Sequence, residues 1–140
     1  MLEKMKNILQ KKHIIFHGLE YIEQEQKFIC KISWQEVWVN GCVFAENEKD
    51  IEQATTIIQN LTMEAAEWEA NAYDFATTKL RNEWYGDFAD TTVFSDICIK
   101  KDGTILFLLA EWADDDIIKL EKGVCVEGTW ENGWQKAYLL

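Results

Sequence analysis

The sequence predicts an α+β domain: an antiparallel β-sheet, running as a meander with C-terminal hairpins, two consecutive helices packed on one face, and a short N-terminal helix. Three observations carry this expectation. Strand-like apolar runs lie on both sides of residues 47–84, and within that stretch the apolar period becomes helical. Near the C-terminus, Asp102-Gly103 and Asn132-Gly133 separate pairs of strand-like runs with the residue types that hairpin turns need for positive φ angles.

Taken from the N-terminus, Leu2, Met5, Ile8 and Leu9 recur at helical spacing with lysines opposite. The chain therefore divides into a short basic amphipathic helix, residues 1–12, and a single α+β domain, residues 13–140. The helix is expected to lie on its own domain, with docking on a second copy as the alternative. His13 to Phe16, Lys27 to Ser33 and Glu36 to Phe44 read as strands, with Asn40-Gly41 a turn or bulge inside the third. Asn47 is placed to cap a helix whose stripe is Ile51, Ala54, Ile57, Ile58 and Leu61, and Asp50 complements its positive end.

A second helix is expected from Thr62. Ala65, Trp68, Ala72, Phe75, Ala76, Leu80 and Trp84 form its apolar side, Glu64, Glu67, Asn71, Asp74, Thr78 and Arg81 its outer side, and Gly86 its stop. Phe94 to Lys100, Thr104 to Trp112, Gly123 to Trp130 and Trp134 to Leu139 read as the closing strands. In Ile105 to Ala110 both alternating faces are apolar, which predicts a central strand covered on both sides.

At 140 residues a single domain can bury a self-sufficient core, and an apolar content of 48% supplies the material for one, so disorder is not expected despite the charge. Cys30, Cys42, Cys98 and Cys125 are too widely spaced for a CxxC pair and sit in apolar runs, so buried reduced thiols are expected. The N-terminus has no continuous apolar stretch of the secretory type, and no run is long enough to span a bilayer. A cytoplasmic protein is the expectation.

Net charge is −11, unevenly placed. Residues 44–90 hold eleven acids against three bases, whereas Lys4, Lys6, Lys11 and Lys12 face only Glu3 in the first thirteen residues. Such a field attracts basic proteins and repels nucleic acid and anionic membrane, so a basic protein is the expected partner, with no nucleic acid and no membrane.

The run Gly123-Val124-Cys125-Val126-Glu127-Gly128-Thr129-Trp130-Glu131-Asn132-Gly133-Trp134-Gln135-Lys136-Ala137-Tyr138-Leu139 resembles the closing hairpin of the uncharacterised bacterial family known as domain of unknown function 2262 (DUF2262-like). Glu67-Trp68 and Asn82-Glu83-Trp84 in a long helix, then Phe94 and Asp102-Gly103, resemble the same family's order of elements over residues 35–139. Where that family has a Gly-His pair entering the penultimate strand, this chain has Glu121-Lys122-Gly123, so no role of that histidine carries over. The resemblance implies a bacterial α+β protein and supplies no activity.

Catalytic, cofactor and metal sites are not expected. His13 and His17 with Glu20 have spacing that zinc could use, but scattered surface imidazoles are the simpler reading. Glu111, Asp114, Asp115 and Asp116 form the densest acidic cluster, without the alternating ligands and central glycine of a calcium loop. No Gly-x-Ser-x-Gly, P-loop or dinucleotide pattern occurs. Trp34, Trp38, Trp112, Trp130 and Trp134 could form a stacking platform, but nucleic acid would also need a positive groove.

The expected function is a non-enzymatic binding protein, an immunity- or antitoxin-like inhibitor engaging a basic partner. Its expected contact residues are Glu64, Glu67, Asp74, Glu111, Trp112, Asp114, Asp115 and Asp116. The alternatives are a small enzyme or ligand-binding domain with a pocket between helices and sheet, and a homo-oligomeric structural module using the N-terminal helix.

Overall fold

The computed structural model describes residues 2–12, 15–83, 92–112 and 118–140, without the side chains of 112 and 118–122. Helix α1 (Leu2–Gln10) leads into strands β1 (Phe16–Ile22), β2 (Lys27–Trp34) and β3 (Val37–Phe44). Helices α2 (Glu48–Met63) and α3 (Ala65–Leu80) follow, and then β4 (Thr92–Ile99), β5 (Ile105–Trp112), β6 (Ile118–Thr129) and β7 (Gly133–Leu139). The seven strands lie in one sheet in chain order, every neighbouring pair antiparallel except β3 and β4. The fold is α+β, with two consecutive helices and a short N-terminal one.

The parallel pair departs from the all-antiparallel expectation for a physical reason. Parallel neighbours need a crossover of a dozen residues or more, and the α2–α3 connection supplies it. Helix α2 starts as its sequence dictates, Asn47 Oδ1 accepting the Asp50 N–H at 3.0 Å. Ile51, Ala54, Ile58 and Leu61 are buried. The break between the helices falls at Glu64 rather than Thr62, because Thr62 keeps helical backbone and its hydroxyl donates to the Gln59 carbonyl at 2.8 Å.

On the helix side of the sheet, Phe28, Ile32, Trp34, Val43, Ile97, Ile99, Ile105, Phe107 and Val126 are buried. Trp34 stacks on Phe94 at 5.2 Å, and Phe107 meets both edge-on. Met5 and Leu9 bury the apolar side of α1 in this same core, as its amphipathic pattern predicts.

Burial along β5 follows the expectation for Ile105 to Ala110 only in part. Ile105, Phe107 and Leu109 are buried in the core on the helix side and Ala110 is fully buried, whereas Leu106 and Leu108 are half-buried on a face that no described helix covers. The first strand also differs. It runs over Phe16–Ile22, not His13 to Phe16, with a register shift between His17 and Glu20; His13 and Ile14 lie outside the described residues.

Asn40-Gly41 is neither a turn nor a bulge. Register with β2 runs unbroken through Lys31↔Asn40 and Cys30↔Gly41, and the glycine makes room for the Ile32 side chain, whose Cδ1 would lie 2.5 Å from an added Cβ. The turn between β2 and β3 is Gln35-Glu36, both at positive φ without a glycine. Gly103 and Gly133 occupy the expected turns at φ 90° and 71°.

Gly123 sits where β6 crosses a register shift in β5, and a Cβ there would lie 2.0 Å from the Leu109 carbonyl oxygen. Backbone cannot rotate away as a side chain can. Gly123→Ala is therefore expected to destabilise the fold by about 1–3 kcal/mol, read as a lower urea midpoint at constant m-value. An unchanged midpoint would show that β5 and β6 separate freely there.

Candidate functional site

A cleft of 420 Å³ opens between α3 and the β6–β7 hairpin. Helix α3 contributes Trp68, Asn71 and Phe75, with Glu64 at its N-cap and Glu67 in its first turn. The hairpin contributes Trp130, Gly133 and Trp134. Glu64, Trp68, Asn71 and Phe75 follow the i, i+4, i+7, i+11 spacing that keeps residues on one helix face. Ala65, Ala72, Ala76 and Leu80 form the neighbouring stripe, buried against the core.

This geometry corrects the division of α3 into an apolar and an acidic side. Trp68 and Phe75 are half-buried at the margin of the buried stripe, and they share the cleft with Glu64, Glu67 and Asn71. Small alanines let the helix approach the sheet closely, which leaves the larger rings at its flank.

Trp68 packs against both other indoles. Trp68 stacks on Trp130 at 5.3 Å and 21°, and meets Trp134 at 5.4 Å and 82°. Trp134 packs on Phe107 at 4.6 Å and donates its indole N–H to the Trp68 carbonyl at 3.3 Å. A continuous aromatic row thus links the core rings to the cleft. The Glu64 side chain makes no cap hydrogen bond, and among the described residues no salt bridge reaches Glu64 or Glu67. No basic residue is among the described residues that line the cleft.

The structure brings together only part of the expected contact set. Asp74 is exposed on α3, one turn beyond Asn71, and does not line the cleft. Glu111 is half-buried on β5 opposite Thr92 and Lys119. It lies six residues from Ile105, which pairs with the hairpin end of β6, so it is roughly 20 Å from the cleft along the strand. Asp114, Asp115 and Asp116 lie outside the described residues, as do Trp84, Gly86 and the Trp112 side chain. Of the other tryptophans considered for stacking, Trp34 is buried in the core and Trp38 is exposed beside His17 on the sheet face away from the described helices.

The sheet face away from the described helices carries a second feature. Cys42 and Cys98 are register partners across the parallel β3–β4 joint. The Cys98 thiol donates to Cys42 Sγ, which holds the Cys42 thiol below the usual range despite partial burial, and the Lys27 ammonium acts in the same direction. Cys98 is pushed up, first by that hydrogen bond to Cys42 and then by burial. Burial pushes Cys30 up to about 12 and also raises Cys125. All four thiols are free; Cys30 and Cys125 are buried as expected, but Cys42 and Cys98 are only half-buried. The described residues hold no group of three or more His, Cys, Asp or Glu able to hold a metal, and no described helix is long and apolar enough to cross a membrane.

No family model, curated protein or solved structure matches this chain. The site is an aromatic cleft whose carboxylates have no salt-bridge partner among the described residues.

Thiol reactivity follows thiolate content and access. Iodoacetamide at neutral pH is expected to modify native Cys42 first, with Cys30 and Cys125 reacting only on unfolding, as read by peptide mass mapping. Equal rates at all four would contradict the hydrogen-bonded pair.

Proposed function

We propose that this protein is a non-enzymatic binding protein that engages a basic protein partner, in the manner of an immunity-type inhibitor whose carboxylates fill the positive cleft of a nuclease toxin. The observation that carries this reading is the pairing of Glu64 and Glu67, neither with a salt bridge among the described residues, with Trp68 and the two tryptophans packed on it, Trp130 and Trp134. Aromatic anchors beside carboxylates are what a basic hot spot needs, since Trp supplies area at low entropic cost and the acids supply complementarity. The net charge of −11 extends the same preference over a longer range and disfavours nucleic acid. Kinship with the domain of unknown function 2262, cytoplasmic residence and bacterial origin belong to this same reading.

Affinity capture from producing cells, washed at low and then high salt, is expected to retain a basic protein that leaves as ionic strength rises. With that protein purified, Glu64→Lys with Glu67→Lys is expected to weaken binding at least tenfold, on the order of 1.4 kcal/mol, and to slow association at low salt. Unaltered affinity and rate in the double variant would overturn the reading.

A further inference from the structure

We infer that the tryptophan cleft is a receptor for one arginine side chain, its guanidinium group lying flat on indole surface and its edge turned to Glu64 and Glu67. The inference rests on the basic-partner reading above and names the group that the partner inserts.

The indoles supply the first part of the argument. Trp134 has already committed its N–H to the Trp68 carbonyl, so what it offers the cleft is π surface. That surface is electron-rich and attracts a cation placed over it. Because Trp68, Trp130 and Trp134 are locked by stacked and edge-on contacts, the wall exists before any ligand arrives, and little ordering entropy opposes binding.

The carboxylates supply the second part. Glu64 stands at a helix N-cap without using its side chain to cap, and Glu67 follows in the first turn of α3. Both are exposed, neither has a salt bridge among the described residues, and no described lining residue is basic. An anionic ligand is thus disfavoured, and a neutral one would leave this charge unused.

Shape decides between cations. Trp68 and Trp130 lie nearly parallel and already in contact, so no slot remains between them, while Trp68 and Trp134 stand almost perpendicular. That arrangement is a corner rather than a cage. A trimethylammonium group, tetrahedral and without donors, is best enclosed on several sides. A guanidinium is planar and weakly hydrated on its faces, and it presents in-plane N–H donors in a fork that matches carboxylates. The corner offers it a flat wall and acceptors at the rim, where Asn71 adds an amide. A lysine ammonium is compact and strongly hydrated, so it gains less from the wall.

The test uses the intact chain, with indole N–H resonances followed by NMR during titration. The probes are blocked arginine amide, blocked lysine amide, its trimethylated form and the neutral disaccharide maltose. Arginine amide is expected to shift the Trp68, Trp130 and Trp134 resonances saturably with a Kd on the order of 1 mM, several-fold tighter than the other three probes. Glu64→Gln with Glu67→Gln, at exposed positions that leave the spectrum otherwise dispersed, is expected to weaken it at least about tenfold.

The inference is overturned by the absence of a saturable shift with arginine amide, by equal affinity in the double variant, or by tighter binding of trimethyllysine amide or maltose. An arginine-rich decapeptide separates this from the parent reading. If the peptide binds in a salt-sensitive way while the indole resonances stay still, the cleft assignment fails and a basic partner stands. If neither peptide nor amide binds, both fail.

Discussion

Trp134 packs against Phe107 at 4.6 Å and Trp68 at 5.4 Å, and its indole N–H reaches the Trp68 carbonyl, so one side chain ties the sheet core to a helix flank and its backbone. Much else depends on that tie. It sets how α3 lies over the hairpin, and thereby which residues of α3 are buried and which are left at the margin. Ala65, Ala72 and Ala76 let the helix lie close, and Trp68 and Phe75 are left at its flank with Glu64 and Asn71. The cleft is thus a by-product of close packing beside large rings. Aromatic area that is half-buried in the monomer remains available for a second contact.

Local chemistry made part of this legible in the sequence. The Asn47 cap, the stripe of α2, the positive-φ glycines of the last two hairpins and the buried side of α1 are set by residues within a few positions of one another. The Gln35-Glu36 turn leaves no local signal because it has no glycine; its two residues hold positive φ between strands whose pairing is already fixed by Phe28, Ile32 and Trp34. In β5, apolar residues on both faces describe an interior strand, but they do not say whether a second layer covers it. The described helices lie on one side of the sheet, and Leu106 and Leu108 are partly sheltered by the neighbouring strands.

The site was half legible for the same reason. Glu64 and Glu67 stand out as acids, and Trp130 and Trp134 flank an Asn-Gly turn, yet Trp68 reads as ordinary core in a helical stripe. What joins them is the packing of residues more than sixty positions apart, which no local period records. The i, i+4, i+7, i+11 spacing of Glu64, Trp68, Asn71 and Phe75 is the one local signal that could have grouped polar and aromatic residues on a common flank. The thiol pair is similar: Cys42 and Cys98 meet only because β3 and β4 run parallel. Charge density alone pointed toward Glu111, which the sheet carries to the far end of β5.

The parallel β3–β4 joint also shapes how the chain finds this structure. Every other strand pair is closed by a connection of few residues and can form early, whereas β3 and β4 must wait for α2, α3 and the residues after them to be placed. The sheet therefore divides kinetically into β1–β3 and β4–β7, two ribbons whose meeting completes the core. Until they join, Val43 and Ile97 would each stand at the exposed edge of a ribbon, so this junction is where a nascent chain is most open to pairing with another copy of itself.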